Sequence, residues 1–302
     1  MNLECPFHRV ELPASGGTCP ECGYLAEGSE SGRHRFRREG EPEGVYDSYE
    51  NAYEKLAGDD LASSVYAEEY QLDLARQTFA RIGSVAGLEL AELGVGQGFL
   101  QRHFLKDAPK TLLSLDVAEN YVRAARKLYE ESGNDATAFH VSVGNVEFMP
   151  YRECFDLVVA TDILEHVLNL GNALSRIARM LKPGGKFWCR VPYEETLGQY
   201  SVYNGQKYEF AHLRFFDKPS LRAQLAEAGL RPEGACCFGY QSHRFRRFVP
   251  RLPSIVLGKL LASAGIYGTA WHHFNRKSEN PLLRPLRLLH QPLELLVVAR
   301  KT

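Results

Sequence analysis

The stretch that decides the fold is Glu92-Leu93-Gly94-Val95-Gly96-Gln97-Gly98. It follows the apolar residues 88–93, which predict a buried β-strand, and it precedes residues 99–105, which predict a helix. A glycine turn between a strand and a helix presents backbone N–H groups to a ligand. Glycine suits such a turn because it adopts a positive φ and lets a ligand approach the backbone closely. A tight turn without a ligand would use the same glycines, so the rest of the chain has to decide between the two.

The remainder of the chain continues the alternation of strands and helices. Apolar segments predict strands at residues 111–116, 137–143, 155–162, 186–192, about 234–239, and 293–299. Strands that alternate with helices predict a parallel sheet that is covered on both faces. The predicted fold class is therefore α/β, with a Rossmann-like, doubly wound sheet.

A carboxylate stands at the end of the second predicted strand. Asp116 lies 18 residues after Gly98, and a carboxylate at the tip of that strand can accept hydrogen bonds from both hydroxyls of a ribose. The turn and this aspartate together predict a nucleoside-containing ligand.

These motifs and their order resemble the class I S-adenosylmethionine-dependent methyltransferase superfamily. Its pattern acidic-x-Gly-x-Gly-x-Gly is matched by Glu92, Gly94, Gly96 and Gly98, whereas a dehydrogenase pattern would need its third glycine at Phe99. Three further segments resemble the small-molecule branch, which includes quinone-biosynthesis methyltransferases. They are Asp162-Ile163-Leu164-Glu165-His166-Val167, Leu181-Lys182-Pro183-Gly184-Gly185 and His212-Leu213-Arg214-Phe215-Phe216.

The resemblance implies S-adenosylmethionine as cofactor and a mostly parallel sheet with an antiparallel last strand. The residues that it assigns to cofactor binding are Glu92, Gly94, Gly96, Gly98, Asp116, Asn145, Val146 and Asp162. One of them departs from the family, which commonly has Gly-Asp where this chain has Gly144-Asn145. The family's aspartate accepts a hydrogen bond from the adenine amino group. The side-chain oxygen of Asn145 can still accept one without the charge, so we expect weaker cofactor binding.

Two histidines are the candidate catalytic residues. His166 lies four residues after the fourth strand, and an imidazole suits proton transfer near neutral pH. The alternative for His166 is structural, because the family's Glu-His pair often caps a helix and supports the sheet edge. His212, with Arg214 and Tyr193, is a second candidate for substrate contact.

The N-terminal residues contain two closely spaced pairs of metal-ligand residues. Cys5 and His8 form the first pair, and Cys19 and Cys22 form the second. Together they offer a closed tetrahedral set suited to structural zinc, and they resemble a zinc ribbon. The alternative is a redox pair at Cys19 and Cys22. Replacing Cys19 or Cys22 by serine should remove the metal and loosen the first 25 residues, but we expect it to leave cofactor binding nearly intact.

Composition bounds the organisation of the chain. Its 302 residues and net charge of −1 predict a globular protein without a global attraction for nucleic acid. No apolar run reaches transmembrane length and no signal-peptide core is present, so we expect a cytoplasmic protein. The predicted regions are a zinc-ribbon-like element at 1–28, a linker at 29–45, an N-terminal helical cap at 46–85 and the methyltransferase domain at 86–302.

A basic insertion at 241–292 interrupts that domain. It contains nine Lys and Arg residues against one acidic residue, Glu279, for a net charge of +8. Such a segment could bind an anionic small molecule, an anionic membrane surface or RNA, in that order of preference, or it could be a solvated cap.

Three functions therefore compete. The first is a methyltransferase that acts on a small-molecule, anionic acceptor by in-line methyl transfer. The second is an RNA methyltransferase of the rRNA guanine type, since such enzymes also join an N-terminal zinc element to this fold. The third is a non-catalytic, zinc-anchored binding module, against which the intact glycines and Asp116 argue.

Overall fold

The computed structural model describes residues 1–27, 33–34, 44–62, 68–194, 202–203, 206–207, 210–245 and 290–302. Most of the predicted basic insertion, residues 246–289, lies outside the described residues. Within the ranges described, no helix has both the length and the apolar character needed to cross a bilayer.

The N-terminal part consists of short strands followed by two helices. The strands are β1 (Leu3–Glu4), β2 (Glu11–Leu12), β3 (Gly16–Thr18), β4 (Leu25–Glu27) and β5 (Arg33–His34), and the helices are α1 (Val45–Ala62) and α2 (Glu68–Ile82). Strand β1 pairs with β2 and β3 with β4, both antiparallel. The predicted helical cap is thus two helices.

The rest of the described chain alternates between strands and helices as far as Pro192, as predicted. Its first half contains β6 (Glu89–Leu93), α3 (Gln101–Asp107), β7 (Thr111–Asp116), α4 (Glu119–Ser132), β8 (Ala138–Gly144), a 3₁₀ turn (Val146–Phe148) and β9 (Phe155–Thr161). Its second half contains α5 (Leu170–Met180), β10 (Leu181–Pro192), β11 (Val202–Tyr203), β12 (Gln206–Lys207), α6 (Lys218–Glu227), β13 (Leu230–Phe245) and β14 (His290–Lys301).

Eight strands form one sheet in the order β13-β14-β10-β9-β6-β7-β8-β5. The pairs from β10 to β8 are parallel, whereas β14 runs antiparallel to both β10 and β13. This confirms the Rossmann-like sheet with an antiparallel last strand. Strand β5 lies in the predicted linker and pairs in parallel with Val143 and Gly144 of β8, an edge strand that the sequence did not predict. Strand β13 is longer than its predicted core, because β14 pairs with it as far as Phe245.

The two faces of the sheet bury different residues of the same strands. In β6, Leu93 belongs to one apolar cluster and Leu90 to another, and in β9 Val158 and Val159 are divided in the same way. The period of two in a strand makes this separation necessary, because successive side chains point to opposite faces. Runs of apolar residues therefore build both layers of core at once, as expected for a parallel sheet that is covered on both sides.

The first 27 residues, called here the Cys/His element, are built into the larger of these two cores. Leu3, Cys5 and Tyr24 are at most 4% exposed and belong to the same apolar cluster as Val146 and Leu93. The element therefore does not have to bury a core of its own, which so few residues could not do.

Candidate functional site

The glycine turn lies between β6 and α3, at the carboxyl end of the sheet. Gly94 has φ 69°, and a Cβ built on it would lie 2.0 Å from Cγ2 of Ile163. Gly96 has φ 51°, and a Cβ there would meet nothing within 4 Å. Gly94 is therefore required for packing, whereas the space beside Gly96 is open to a ligand. The third glycine, Gly98, is also a packing position, since its Cβ would approach Leu128 to 2.8 Å.

Asp116 lies beside this open space, at the end of β7. Its carboxylate accepts hydrogen bonds from the backbone N–H groups of Gly96 and Ala118, each at 3.0 Å. Burial raises the pKa of Asp116 to about 6, although these N–H groups oppose the shift. Each carboxylate oxygen keeps a further lone pair, so the predicted role in accepting ribose hydroxyls fits the geometry.

Glu92 is 2% exposed, and one of its oxygens, Oε2, has no hydrogen-bond partner among the described residues. Burial, and then the charge of Asp116, raise the pKa of Glu92 well above its usual value. A buried carboxyl group without a partner is costly. A cationic ligand group nearby would favour its ionised form, and the ammonium of an amino-acid moiety is such a group.

Asn145 and Val146 begin a short turn after β8, which we call the adenine-side turn (residues 145–148). The side-chain oxygen Oδ1 of Asn145 accepts a hydrogen bond from the backbone N–H of Glu147 at 2.9 Å. That bond fixes the orientation of the amide, and the buried Nδ2 has no partner in the part of the chain that the structure describes. The sequence predicted that Asn145 offers its oxygen to the ligand. An amide oxygen has two lone pairs and the N–H of Glu147 uses one of them, so this role stays a prediction, and Nδ2 is a buried donor on the same side chain.

Asp162 directly follows β9 with a positive φ of 56°, and its carboxylate pairs with the buried guanidinium of Arg190. Arg190 also donates to Oγ1 of Thr78 at 2.9 Å and lies 3.7 Å from Oε2 of Glu294. Burial alone would lower the pKa of Arg190, but the two carboxylates outweigh it and raise that pKa. Sequence reasoning missed Arg190, although a lone arginine within the apolar run of β10 is a visible signal.

The two candidate catalytic histidines lie together. Their ring centroids are 4.6 Å apart, and the ring centroid of Tyr53, in α1, lies 5.7 Å from that of His166. Burial, and then the neighbouring His212, lower the pKa of His166 to about 4, so its ring is neutral at neutral pH. Nδ1 of His166 faces the carbonyl oxygen of Ala211, which can only accept, so Nδ1 carries the proton. The other nitrogen, Nε2, is therefore an acceptor, and it lies 3.8 Å from Oε1 of Glu165.

The segment that contains His212 is held against the loop after β9 by its backbone. The N–H of Leu213 donates to the carbonyl of Glu165 at 2.9 Å, and the guanidinium of Arg214 donates to the carbonyl of Leu164 at 2.8 Å. Tyr193 is further along the sheet, where its N–H donates to the carbonyl of Leu293. Arg214 thus fixes the loop that carries His166, which is a structural role that the sequence did not assign to it.

Two groups of side chains in the described part of the chain have ligand atoms close enough for one metal ion. One is Glu165, His166 and His212, and the other is Cys5, His8, Cys19 and Cys22; within each group the atoms lie within 4.8 Å of one another. The second group is the predicted zinc site. The Sγ atoms of Cys5 and Cys22 are 3.6 Å apart, and Nδ1 of His8 lies 3.9 Å from Sγ of Cys19. A tetrahedron with Zn–S bonds of about 2.3 Å has edges of roughly 3.8 Å, so the four donors fit zinc.

Comparison with known proteins agrees with this geometry. Residues 91–189 match the family model described as "Methyltransferase domain". The chain carries a class I methyltransferase domain.

The curated relatives match this domain and not the whole chain. A ubiquinone biosynthesis O-methyltransferase of Nitrobacter winogradskyi is 35% identical over 104 residues, which cover 34% of this chain and 38% of that protein. Its counterpart in a Bradyrhizobium strain is 32% identical over 120 residues, covering 38% and 46%. The matched parts thus span less than half the length of these relatives.

Solved structures extend the similarity in fold to most of the chain. A chain from the complex between the Haloferax volcanii Trm112 methyltransferase activator and a methyltransferase is 20% identical, with a TM-score of 0.55, and the match covers 85% of this chain and 99% of that chain. The Burkholderia thailandensis 1,6-didemethyltoxoflavin-N1-methyltransferase, solved with S-adenosylhomocysteine, is 19% identical, with a TM-score of 0.51, and the match covers 87% and 92%. At these identities the comparison establishes the fold alone.

Proposed function

We propose that the protein is an S-adenosylmethionine-dependent methyltransferase that acts on a small-molecule acceptor. The observation that carries this proposal is the open space at Gly96, whose N–H donates to the buried carboxylate of Asp116, with the buried carboxyl group of Glu92 close enough to feel the charge of Asp116. A cation and a ribose would satisfy these two groups, and S-adenosylmethionine contains both. A turn that binds no ligand would not need open space beside Gly96.

Each of the residues around this open space has a separate part in holding the cofactor. Glu92 pairs with the ammonium, Asp116 accepts from the ribose hydroxyls, and Asn145 and Val146 border the adenine. When bound, S-adenosylmethionine supplies a methyl group on a sulfonium. The protein's contribution is to hold an acceptor atom in line with that methyl group and to exclude water. Asp162 helps shape this end of the sheet, and Arg190 keeps its carboxylate in place.

We expect that positioning of the acceptor atom contributes more to the rate of methyl transfer than proton transfer to His166 does. An imidazole with a pKa of about 4 takes a proton from a hydroxyl less readily than one whose pKa lies near the working pH. We therefore assign to Nε2 of His166 the role of a hydrogen-bond acceptor that orients the acceptor group. His212, which touches the His166 ring, is the remaining candidate base.

An oxygen acceptor is favoured by the curated relatives, whose names describe O-methyltransferases. An anionic acceptor, or one at a membrane surface, is favoured by the +8 charge of residues 241–292. Among the described residues near the histidines, Arg190 and Arg214 are already engaged by carboxylates or carbonyls. The anion would therefore have to be bound by the basic insertion. We propose a cytoplasmic location on the sequence evidence given above.

The experiment that tests the function combines binding with methyl transfer. S-adenosylmethionine carrying a labelled methyl group is incubated with the protein and either a low-molecular-mass metabolite fraction or total RNA. Label in the metabolite fraction supports the proposal, and label in RNA alone would replace it with the RNA-methylating alternative. Binding of the cofactor without transfer to either fraction would favour the non-catalytic module.

We further propose that Cys5, His8, Cys19 and Cys22 hold one structural zinc ion. Four protein ligands leave no coordination position for a substrate, so this ion would support the fold and not the chemistry. Cys22→Ser should reduce the zinc content from one ion per chain to near zero, as measured by elemental analysis of protein purified without chelator. Cys189→Ser, at a buried cysteine outside the cluster, is the control and should keep the metal. A wild-type protein without zinc would refute the site.

A further inference from the structure

The Cys/His element contacts the methyltransferase domain at the adenine-side turn. The hydroxyl of Tyr24, a fully buried residue one position after Gly23, donates to the carbonyl of Phe148 at 2.8 Å. Phe7, between the ligands Cys5 and His8, lies with its ring 5.6 Å from that of Phe148 and 6.0 Å from that of Tyr24. Both ligand pairs of the metal cluster thus have a neighbouring aromatic residue that contacts Phe148, the last residue of the turn.

The element is also joined to the chain that leaves the turn. The N–H of Glu4 donates to the carbonyl of Pro150 at 2.7 Å, and the N–H of Arg152 donates to the carbonyl of Asn2 at 2.9 Å. These bonds flank an antiparallel bridge between Leu3 and Tyr151. Residues 150–152 are therefore held by residues 2–4 of the N-terminal strand.

A buried ion pair fixes the same element to α5. The side chain of Glu4 is completely buried and pairs with Arg176, at 3.3 Å, and with Arg179. Burial alone would raise the pKa of Glu4, but the two guanidinium groups outweigh it and keep that pKa below its usual value. Removing one member of a buried pair is strongly destabilising, so the element has little freedom to move independently of α5, which itself packs on the turn.

The turn itself connects these contacts to the cofactor residues. Phe148 donates its N–H to the carbonyl of Asn145, and Glu147 donates its N–H to the side chain of Asn145. Glu147 is held in turn by the hydroxyl of Tyr46 and by the N–H of Leu168. The position of Asn145 therefore depends on a network that the Cys/His element anchors at Phe148.

We propose that the Cys/His element is a positioning element of the cofactor site, so that metal binding and S-adenosylmethionine binding strengthen each other. The proposal rests on the function proposed above and adds a coupling between two sites. The metal fixes the two ligand turns, Tyr24 and Phe7 transmit that order to Phe148, and the adenine-side turn is held ready for the ligand. This replaces the expectation that cofactor binding is independent of the metal.

The test measures S-adenosylhomocysteine affinity by calorimetry in zinc-loaded full-length protein and its variants. Tyr24→Phe keeps all four metal ligands and removes the hydrogen bond to Phe148. It should weaken S-adenosylhomocysteine binding about threefold to tenfold, the effect of one ordinary hydrogen bond, while zinc content stays at one ion per chain. Phe7→Ala, at a side chain that is 42% exposed, should act in the same direction. Free adenosine should show the same loss as the full ligand, because the family resemblance places the adenine end of the ligand at this turn.

Tyr129→Phe is the matched control. Its hydroxyl also donates to a backbone carbonyl, that of Thr137 at 3.1 Å, but at the opposite end of β8. This variant should bind S-adenosylhomocysteine like the wild type. If lost stability alone weakened binding, the affinity for S-adenosylhomocysteine would fall in both variants alike.

Reciprocity supplies a second measurement that does not depend on any variant. If zinc raises S-adenosylhomocysteine affinity by some factor, S-adenosylhomocysteine must raise zinc affinity by the same factor. Zinc affinity is measured by competition with a colorimetric chelator, with and without saturating S-adenosylhomocysteine. Equal zinc affinities in the two conditions, or a Tyr24→Phe protein that binds like the wild type, would overturn the coupling. A wild-type protein that does not bind S-adenosylhomocysteine would instead overturn the proposed function itself.

Discussion

Replacing Asn145 by aspartate should strengthen cofactor binding. The oxygen of Asn145 accepts from the N–H of Glu147, and its buried Nδ2 has no partner among the residues that the structure describes. The family resemblance places the adenine amino group, which is itself a donor, near this side chain. Two donors facing each other cannot form a hydrogen bond. Asn145→Asp keeps the acceptor for Glu147 and puts a second acceptor where Nδ2 now lies.

The expected gain follows from the burial of the site. A hydrogen bond to a charged group contributes about 1.5–3 kcal/mol, which corresponds to roughly 10-fold to 150-fold in affinity. The cost of ionising a buried carboxyl group reduces this, since Asn145 is 3% exposed and the pKa values of Glu92 and Asp116 are already raised. We therefore expect about 10-fold tighter binding of S-adenosylhomocysteine. The gain should shrink as the pH is lowered, because the new carboxyl group becomes protonated.

The assay is calorimetric titration of S-adenosylhomocysteine into both proteins at several pH values. Asn169→Asp is the matched control, because Asn169 also caps a helix with its side-chain oxygen but is exposed and lies at the start of α5. It should leave the affinity unchanged. An Asn145→Asp protein that folds and binds no more tightly than the wild type would show that Nδ2 does not face an adenine donor.

Two further substitutions test the buried charges. Asp116→Ala should weaken S-adenosylhomocysteine binding at least about 10-fold in calorimetry, since two hydrogen bonds of about 1.5–3 kcal/mol are at stake, whereas the exposed Asp135→Ala should not. Because the folded pKa of Asp116 is raised to about 6, the native state holds this proton more tightly than the unfolded state. The carboxyl group therefore lowers the free energy of unfolding as pH rises from about 4 to 6, and Asp116→Ala should flatten that slope in urea titrations. Arg190→Met leaves Asp162 and Glu294 without their cation and should cost about 3–5 kcal/mol in the same titrations. Arg300→Met, at a more exposed pair with Glu233, should lower the free energy of unfolding much less, because solvent screens that pair.

The sequence by itself determined the sheet and the part of the site that follows the strand ends. Apolar runs with glycine turns predict where β6 to β10 lie, because burial on both faces leaves little choice of residue. The carboxyl ends of parallel strands meet at one edge, so the order of strands is enough to bring Glu92, Asp116 and Asp162 together. The spacing of Cys5, His8, Cys19 and Cys22 also predicted their cluster, since a metal tetrahedron constrains spacing strongly.

Only the tertiary structure decided which partner each polar group has. The oxygen of Asn145 binds a neighbouring N–H, Asp162 pairs with Arg190 from another strand, and Tyr24 bonds to Phe148 across 124 positions of sequence. Local patterns report how a residue behaves with its neighbours in the chain, whereas these contacts depend on how separate elements pack. The sequence therefore determined what lies at the edge of the sheet, and packing decided which atoms there remain available to a ligand.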